Sequence, residues 1–111
     1  MHTLLALWLL VTGAYAQERC VAMNVAIAAI NQQHPFVDQV TLTPEETVAV
    51  MKWWNAMPPA SSNDYSLVIV LRHTSGRVGL LFGYDKQICD AMMVPVERVH
   101  DLFRVIEGEA T

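Results

Sequence analysis

The spacing of hydrophobic residues changes several times along the chain, and each change marks a predicted element. Residues 19–32 contain no Pro or Gly and are rich in Ala, which favours a helix. Its hydrophobic stripe at helical spacing consists of Cys20, Met23, Ile27 and Ile30. We expect the helix to end before Pro35, because the residue that precedes a proline disfavours helical backbone angles. Residues 36–42 alternate poorly, and they form either a short edge strand or an extended connector.

The strongest local signal is the start of a second helix. Thr43 is a typical N-cap residue, Pro44 suits the first helical position, and Glu46 completes a capping box. The hydrophobic positions of this helix are Val48, Met51 and Trp54, with Val50, Trp53 and Met57 beside them. Pro58 and Pro59 end the helix, and a polar loop follows.

Two β-rich runs around a Ser-Gly turn predict a hairpin. The runs are residues 65–73 and 77–84. A turn centred on Ser75 and Gly76 pairs Leu71 with Leu80. The core face would then carry Leu67, Ile69, Leu71, Val78, Leu80, Phe82 and Tyr84. The outer face would carry Val68, Val70, Arg72, Gly79, Leu81 and Gly83.

A third strand and a final helix follow the hairpin. The strand is expected over residues 87–93, and one of its sides carries Cys89, Ala91 and Met93. The helix is expected from Pro95 to Glu107, and Gly108 suits the position just after its end. Its inward face is expected to consist of Val96, Val99, Phe103 and Ile106, with Leu102 beside them.

Together these elements predict a small single domain of the α+β class. Their order is α(β)αβββα, with about three helices packed on an antiparallel sheet. The sheet has three strands, or four if residues 36–42 also pair.

The N-terminal segment predicts export. Leu4 to Val11 form an unbroken apolar run, and the small residues Ala14 and Ala16 resemble a cleavage site. We therefore expect residues 1–16 to be a cleaved signal peptide and residues 17–111 to form the domain, either periplasmic or secreted. The alternative, a buried N-terminal helix, would be apolar on every side. Glu and Arg directly before Cys20 argue against a lipid-modified cysteine, so no membrane anchor is expected after cleavage.

The two cysteines are expected to pair. An exported domain of this size with two cysteines usually forms a disulfide, which predicts a Cys20–Cys89 bridge. A catalytic thiol at Cys89 would need a neighbouring base, and nothing marks His100, the nearest downstream histidine, as that base. A zinc site would need several ligands at recognisable spacings, whereas the Cys and His residues are scattered.

Composition and motifs exclude several classes of function. The formal net charge of −4 argues against a dedicated binder of nucleic acid or anionic membranes. The sequence contains no phosphate-binding loop, zinc signature, nucleophile elbow or dinucleotide fingerprint. No metal or other cofactor is therefore expected.

Three sets of residues are candidate binding positions. The outer hairpin face would expose Val68, Val70 and Leu81 beside two glycines, unless a helix covers it. Arg72, His73 and Arg77 lie at the hairpin tip, where they either hold an anion or a partner carboxylate or form a solvated turn. Trp53 and Trp54 point in different directions on a helix, so they are either core residues or an interface anchor.

Two functional hypotheses follow. The first is a non-enzymatic module that binds another protein, such as an inhibitor, an immunity-type factor or an envelope accessory protein. The second is a small secreted hydrolase or ligand-binding enzyme that uses His100, Asp101 or His73. An exposed apolar patch would favour the first, and polar groups that converge in a pocket would favour the second.

Overall fold

The computed structural model describes residues 20–56 and 64–108. The strands are β1 (Val21–Ala22), β2 (Phe36–Thr41), β3 (Leu67–His73), β4 (Val78–Tyr84) and β5 (Gln87–Met93). The helices are α1 (Met23–Gln33), α2 (Pro44–Asn55) and α3 (Val99–Ile106), and a 3₁₀ turn over Val96–Arg98 precedes α3. The predicted signal peptide and residue Met57 lie outside the described residues.

The strands form one antiparallel sheet in the order β1-β5-β4-β3-β2. The α+β class, the antiparallel sheet and the three helices are confirmed. The predicted number of strands and their order are wrong, because the sheet has five strands. The strand missed by the sequence is β1, at the start of the predicted first helix, where Val21 and Ala22 pair with Ile88 and Gln87. Residues 36–42 contribute the edge strand β2.

Helices cover both faces of the sheet. Successive side chains of a strand point to opposite faces, so β3 contributes to two separate hydrophobic clusters. Val68 and Val70 pack in the cluster that includes residues of α2 and α3. Ile69 and Leu71 pack in the cluster that includes residues of α1. The two faces are called the α2/α3 face and the α1 face below.

The start of α2 confirms the predicted capping box. The Thr43 hydroxyl accepts the Glu46 amide N–H at 3.2 Å, and the Glu46 carboxylate accepts the Thr43 amide N–H at 2.8 Å. The buried side of the helix consists of Thr47, Val50 and Met51. Val48, which lies on the predicted hydrophobic stripe with Met51, is 68% exposed and does not belong to the buried side.

The β3–β4 hairpin exists, but its register differs by one residue from the prediction. Leu71 pairs with Gly79, not with Leu80. The connecting loop has three residues, Thr74–Gly76, and Gly76 adopts a φ of 90°. Such a loop is a common alternative to the two-residue turn that we assumed. Because a shift of one residue turns every side chain of a strand to the other face, the predicted division between a core face and an outer face is wrong.

A bulge in β5 explains a second correction. Phe82 pairs with Asp90 and Gly83 pairs with Ile88, so Cys89 is the extra residue. Cys89 therefore packs on the α2/α3 face, whereas Ala91 packs on the α1 face, and the prediction that they share a side is wrong.

The predicted Cys20–Cys89 disulfide is confirmed, with the two Cα atoms 4.2 Å apart. Cys20 does not lie on a helical stripe, because it precedes β1. The bridge ties the start of the described chain to β5, with 69 residues of sequence separation. Such a disulfide fits an exported protein.

The final helix is shorter than predicted. Its first part is the 3₁₀ turn, in which Val96 is 68% exposed instead of facing inward. The buried residues of α3 are Leu102 and Val105, flanked by partly buried side chains. Gly108 has a φ of 79°, as expected for the residue that follows a helix. None of the helices in the two described ranges has the length and hydropathy needed to cross a membrane.

Candidate binding groove at the hairpin tip

A groove of about 580 Å³ lies on the α1 face, beside the tip of the β3–β4 hairpin. It begins at the last turn of α1 and extends to the end of β5. Its lining residues are Ile30, His34, Phe36, Leu71, His73, Ser75, Arg77, Gly79 and Met93. The volume falls within the roughly 300–1,000 Å³ typical of small-ligand sites.

The floor of the groove is apolar. Ile30 comes from α1, Phe36 from β2, Leu71 from β3 and Met93 from β5. Gly79 adds no side chain, which keeps the middle of the floor open. A Cβ atom placed there would meet only the Met93 sulfur at 3.5 Å and a backbone oxygen at 3.7 Å, which are ordinary contacts.

The rim is polar and carries nitrogen-rich side chains. The rings of His34 and His73 lie edge to face, with centroids 5.9 Å apart. The Ser75 amide N–H donates to Nδ1 of His73 at 3.1 Å, and the Ser75 hydroxyl lies 2.9 Å from the same nitrogen. With Nδ1 as acceptor, a neutral His73 ring carries its proton on Nε2, so Nε2 is the nitrogen left to donate.

The charge of the groove is opposite to that of the whole chain. The chain has a formal net charge of −4, but none of the described lining residues is Asp or Glu. Within the described part of the chain, no carboxylate forms a salt bridge with Arg77. The groove therefore combines an apolar floor with an unneutralised cation at its rim.

Arg72 does not join the other two residues of the predicted basic tip. Neighbouring strand residues point to opposite faces, so Arg72 lies on the other side of the sheet from His73. Its guanidinium donates to the Asp38 carboxylate of β2, with Nε 3.1 Å from both carboxylate oxygens. The hydrogen bond from Arg72 holds the pKa of Asp38 below its ordinary value. The structure thus brings His73 and Arg77 together at the groove and leaves Arg72 in an ion pair.

The outer hairpin patch predicted from the sequence is not exposed. Val68, Val70 and Leu81 have at most 3% of their surface accessible. Two of them lie under α2 and α3, and Leu81 packs in the cluster of α1. Of the two alternatives that the sequence left open, the structure shows the covered one at these three positions, so they form no exposed binding patch.

The two tryptophans pack against the core without being fully buried. Trp54 contacts Phe82, with ring centroids 6.0 Å apart, and Trp53 contacts Trp54 at 5.9 Å. Both lie beside the cluster of the α2/α3 face. Neither lines the groove, and their role in binding stays a prediction.

The residues considered for catalysis do not share a site. His100 is exposed on α3, and the Asp101 carboxylate accepts a hydrogen bond from Arg98 at 3.4 Å. Helix α3 packs on the α2/α3 face, whereas His73 lines the groove on the α1 face. Among residues 20–56 and 64–108, no group of three or more His, Cys, Asp or Glu side chains is arranged to hold a metal ion.

A second polar feature lies on the α2/α3 face and is separate from the groove. Tyr65 stacks on Phe82 with centroids 5.6 Å apart, and burial raises the pKa of its hydroxyl to about 12. Burial also raises the pKa of Asp90, and the Ala91 amide N–H opposes this by donating to that carboxylate at 2.8 Å. Asp90 is thus a half-buried carboxylate with a destabilised charge.

Sequence reasoning missed most of the groove. Ile30, His34 and Phe36 lie within seven residues around the end of α1, whereas Met93 lies at the end of β5, and no spacing rule connects Met93 with the other three. The one usable signal was His34, a polar residue placed between the end of a helix and a strand. The chain matches no protein-family model, no curated protein and no solved structure.

Proposed function

We propose that the protein is an exported, disulfide-stapled, non-enzymatic binding module that holds a segment of another protein in the groove. The observation that carries this proposal is the groove itself, which has an open apolar floor and a polar rim. An apolar side chain of a partner would lose its water-exposed surface on that floor, which is the main source of affinity in such contacts.

The enzymatic alternative has less support. His73 lies in the groove, but its Nδ1 interacts with Ser75 of its own hairpin. A general base needs a nucleophile or a substrate proton within reach, and catalytic sites usually combine several such groups. The described groove residues provide two histidines and an arginine without a carboxylate to orient them.

Filling the groove tests the proposal. Gly79→Val places a branched side chain on the floor, and its Cβ has room at that position. Ala22→Val is the matched control, because it enlarges an exposed strand residue of β1, which pairs with Gln87 and Ile88 away from the groove. Both variants should give the circular dichroism spectrum of the wild type.

The readout is the set of proteins that immobilised wild type and variants retain from the native envelope or secretion fraction. We expect the wild type and Ala22→Val to retain a common partner that Gly79→Val loses. Retention of the same partner by a folded Gly79→Val variant would show that the groove is not the binding site. A wild type that retains no protein would contradict a protein-binding role.

Export is part of the proposal and has its own test. The disulfide fits an oxidising compartment, and the predicted cleavage would make Gln17 the first residue. Intact mass of the protein from the exported fraction should correspond to residues 17–111. A mass that retains residues 1–16 or includes a lipid would contradict this processing.

A further inference from the structure

We propose that the groove recognises the free C-terminal carboxylate of a partner chain whose last residue is apolar. This inference rests on the proposed protein-binding function and names the part of the partner that is bound. The last side chain lies on the floor, and the terminal carboxylate meets Arg77 and His73 at the rim.

The size of the groove favours a chain end over a broad protein surface. A stable interface between two folded proteins buries about 800 Å² on each partner. A concave site of about 580 Å³ instead has the volume of sites that enclose a ligand of drug size. The last one to three residues of a chain have that size, so a chain end can fill the groove.

The charges at the groove favour an anionic occupant. Arg72 and Arg98 form salt bridges with carboxylates of this chain, whereas Arg77 has none among the described residues. With no acidic side chain among the described lining residues, a bound carboxylate would meet attraction without repulsion. A guanidinium binds a carboxylate through two parallel hydrogen bonds, and such charge-assisted bonds are the stronger kind.

The spacing between floor and rim favours a terminal carboxylate over an internal acidic side chain. Leu71 and His73 are two residues apart on one face of β3, which places them about 7 Å apart along the strand. Phe36 is paired directly with His73 across the neighbouring strand. A C-terminal residue carries its carboxylate and its side chain on one carbon, so it can meet rim and floor at once. An internal acidic residue would need a neighbour to supply the apolar group.

Labelled hexapeptides provide a direct test by fluorescence polarisation. One set ends in Leu or Phe after a Gly-Ser linker and has a free carboxylate. A second set has the same sequences with an amidated end, and a third carries an internal Asp beside Leu with an amidated end. Decanoic acid serves as a competitor that has a carboxylate and an apolar chain but no peptide group.

We expect the free-acid peptides to bind and amidation to weaken binding about tenfold to a hundredfold, the range expected for hydrogen bonds to a charged group. Arg77→Gln should cause a similar loss for the free acid and reduce the difference between acid and amide, because His73 alone then contacts the carboxylate. Arg104→Gln is the matched control, because it removes an exposed arginine from α3, which packs on the other face. That control should bind like the wild type.

Several results would overturn the inference. These are equal binding of acid and amide, stronger binding of the internal Asp peptides, stronger binding of decanoic acid than of any peptide, or no peptide binding at millimolar concentration. If any of them occurs while Gly79→Val still abolishes partner capture, the chain-end inference fails and the proposed function stands. If partner capture also survives Gly79→Val, both fail.

Discussion

The two faces of the sheet differ in how completely helices cover them. On one face, α2 and α3 pack together over a core that includes Tyr65, Phe82 and the disulfide. On the other, α1 is the single helix among the described residues. Its 11 residues extend about 16 Å, whereas the seven residues of β3 extend about 23 Å. The groove begins where α1 ends, so the length of one helix decides where the sheet stays open.

Two glycines of β4 show the same difference at atomic scale. At Gly83 an added Cβ would lie 1.8 Å from the Gln87 backbone oxygen, because the bulged β5 strand approaches closely there. At Gly79 the nearest atom would be 3.5 Å away, because the groove is open. Gly83 is therefore required because the neighbouring backbone leaves no room for a side chain, whereas Gly79 leaves space that a ligand can occupy.

The largest expected effect is that of a charge placed on the α2/α3 face, which two helices cover. Val70→Asp should abolish folding, because an unpaired buried charge costs several kcal/mol and Val70 is 3% exposed. Circular dichroism checks this outcome. Val40→Asp is the control, since Val40 pairs with Val70 across the strands but is 50% exposed, and it should change stability by less than about 0.5 kcal/mol. A native spectrum for Val70→Asp would mean that the face is open.

The second-largest effect is expected from removal of the disulfide, which joins Cys20 and Cys89 on the α2/α3 face. Replacing both cysteines by Ser should lower the free energy of unfolding by up to about 4 kcal/mol, since the bridge closes a long loop. Urea unfolding of the variant and of the oxidised wild type measures the difference. Reduced wild type should behave like the variant. A change below about 1 kcal/mol would show that the bridge adds little to the stability of the domain.

The third prediction is that substitution by Ala changes the free energy of unfolding in opposite directions at the two glycines of β4. Gly83→Ala should lower the free energy of unfolding by about 1–3 kcal/mol or more, because backbone must shift to make room. Gly79→Ala should raise it by about 0.5–1 kcal/mol, because Ala loses less conformational entropy in a strand. Urea unfolding of the two variants and of the wild type measures both changes. Equal destabilisation by both would mean that the groove floor is as tightly packed as the bulge.

The smallest expected effect is that of replacing Asp90, and we expect this replacement to stabilise the protein. Its raised pKa means that the folded protein holds the proton more tightly than the unfolded chain does. Stability therefore falls as the pH rises from the ordinary aspartate pKa of about 3.9 through the raised folded value. Asp90→Asn removes that loss and keeps an oxygen to accept the Ala91 amide N–H, so it should raise stability at pH 7.

The measurement for Asp90 is the free energy of unfolding between pH 3 and pH 7. The variant should gain over the wild type as the pH rises and gain little at the acid end. Asp64→Asn controls for the loss of a negative charge at an exposed position. A variant that loses stability at pH 7 would show that the charged carboxylate is stabilised by its surroundings.

The sequence alone determined the features that depend on neighbouring residues or on simple chemistry. The helix start depends on a capping box between Thr43 and Glu46, which are three residues apart, so the sequence predicted it and the structure confirms it. The disulfide followed from two cysteines in a small domain. The hairpin, the third strand after it and the positive φ of Gly108 also rest on local signals. As candidate binding positions that line the groove, the same reasoning reached His73 and Arg77, together with Gly79 as one of the two glycines of the hairpin face.

Tertiary structure decided which way the side chains point. A Ser-Gly pair suits both a two-residue turn and a three-residue loop, yet the choice shifts the register and exchanges the faces of Val70 and Ile69. The bulge at Cys89 likewise depends on the pairing of β4 with β5. The groove exists because α1 ends before the hairpin tip and because Gly79 lies opposite Leu71 and Met93. Those relations depend on strand register and on how separate elements pack together, which the spacing of residues along the chain does not determine.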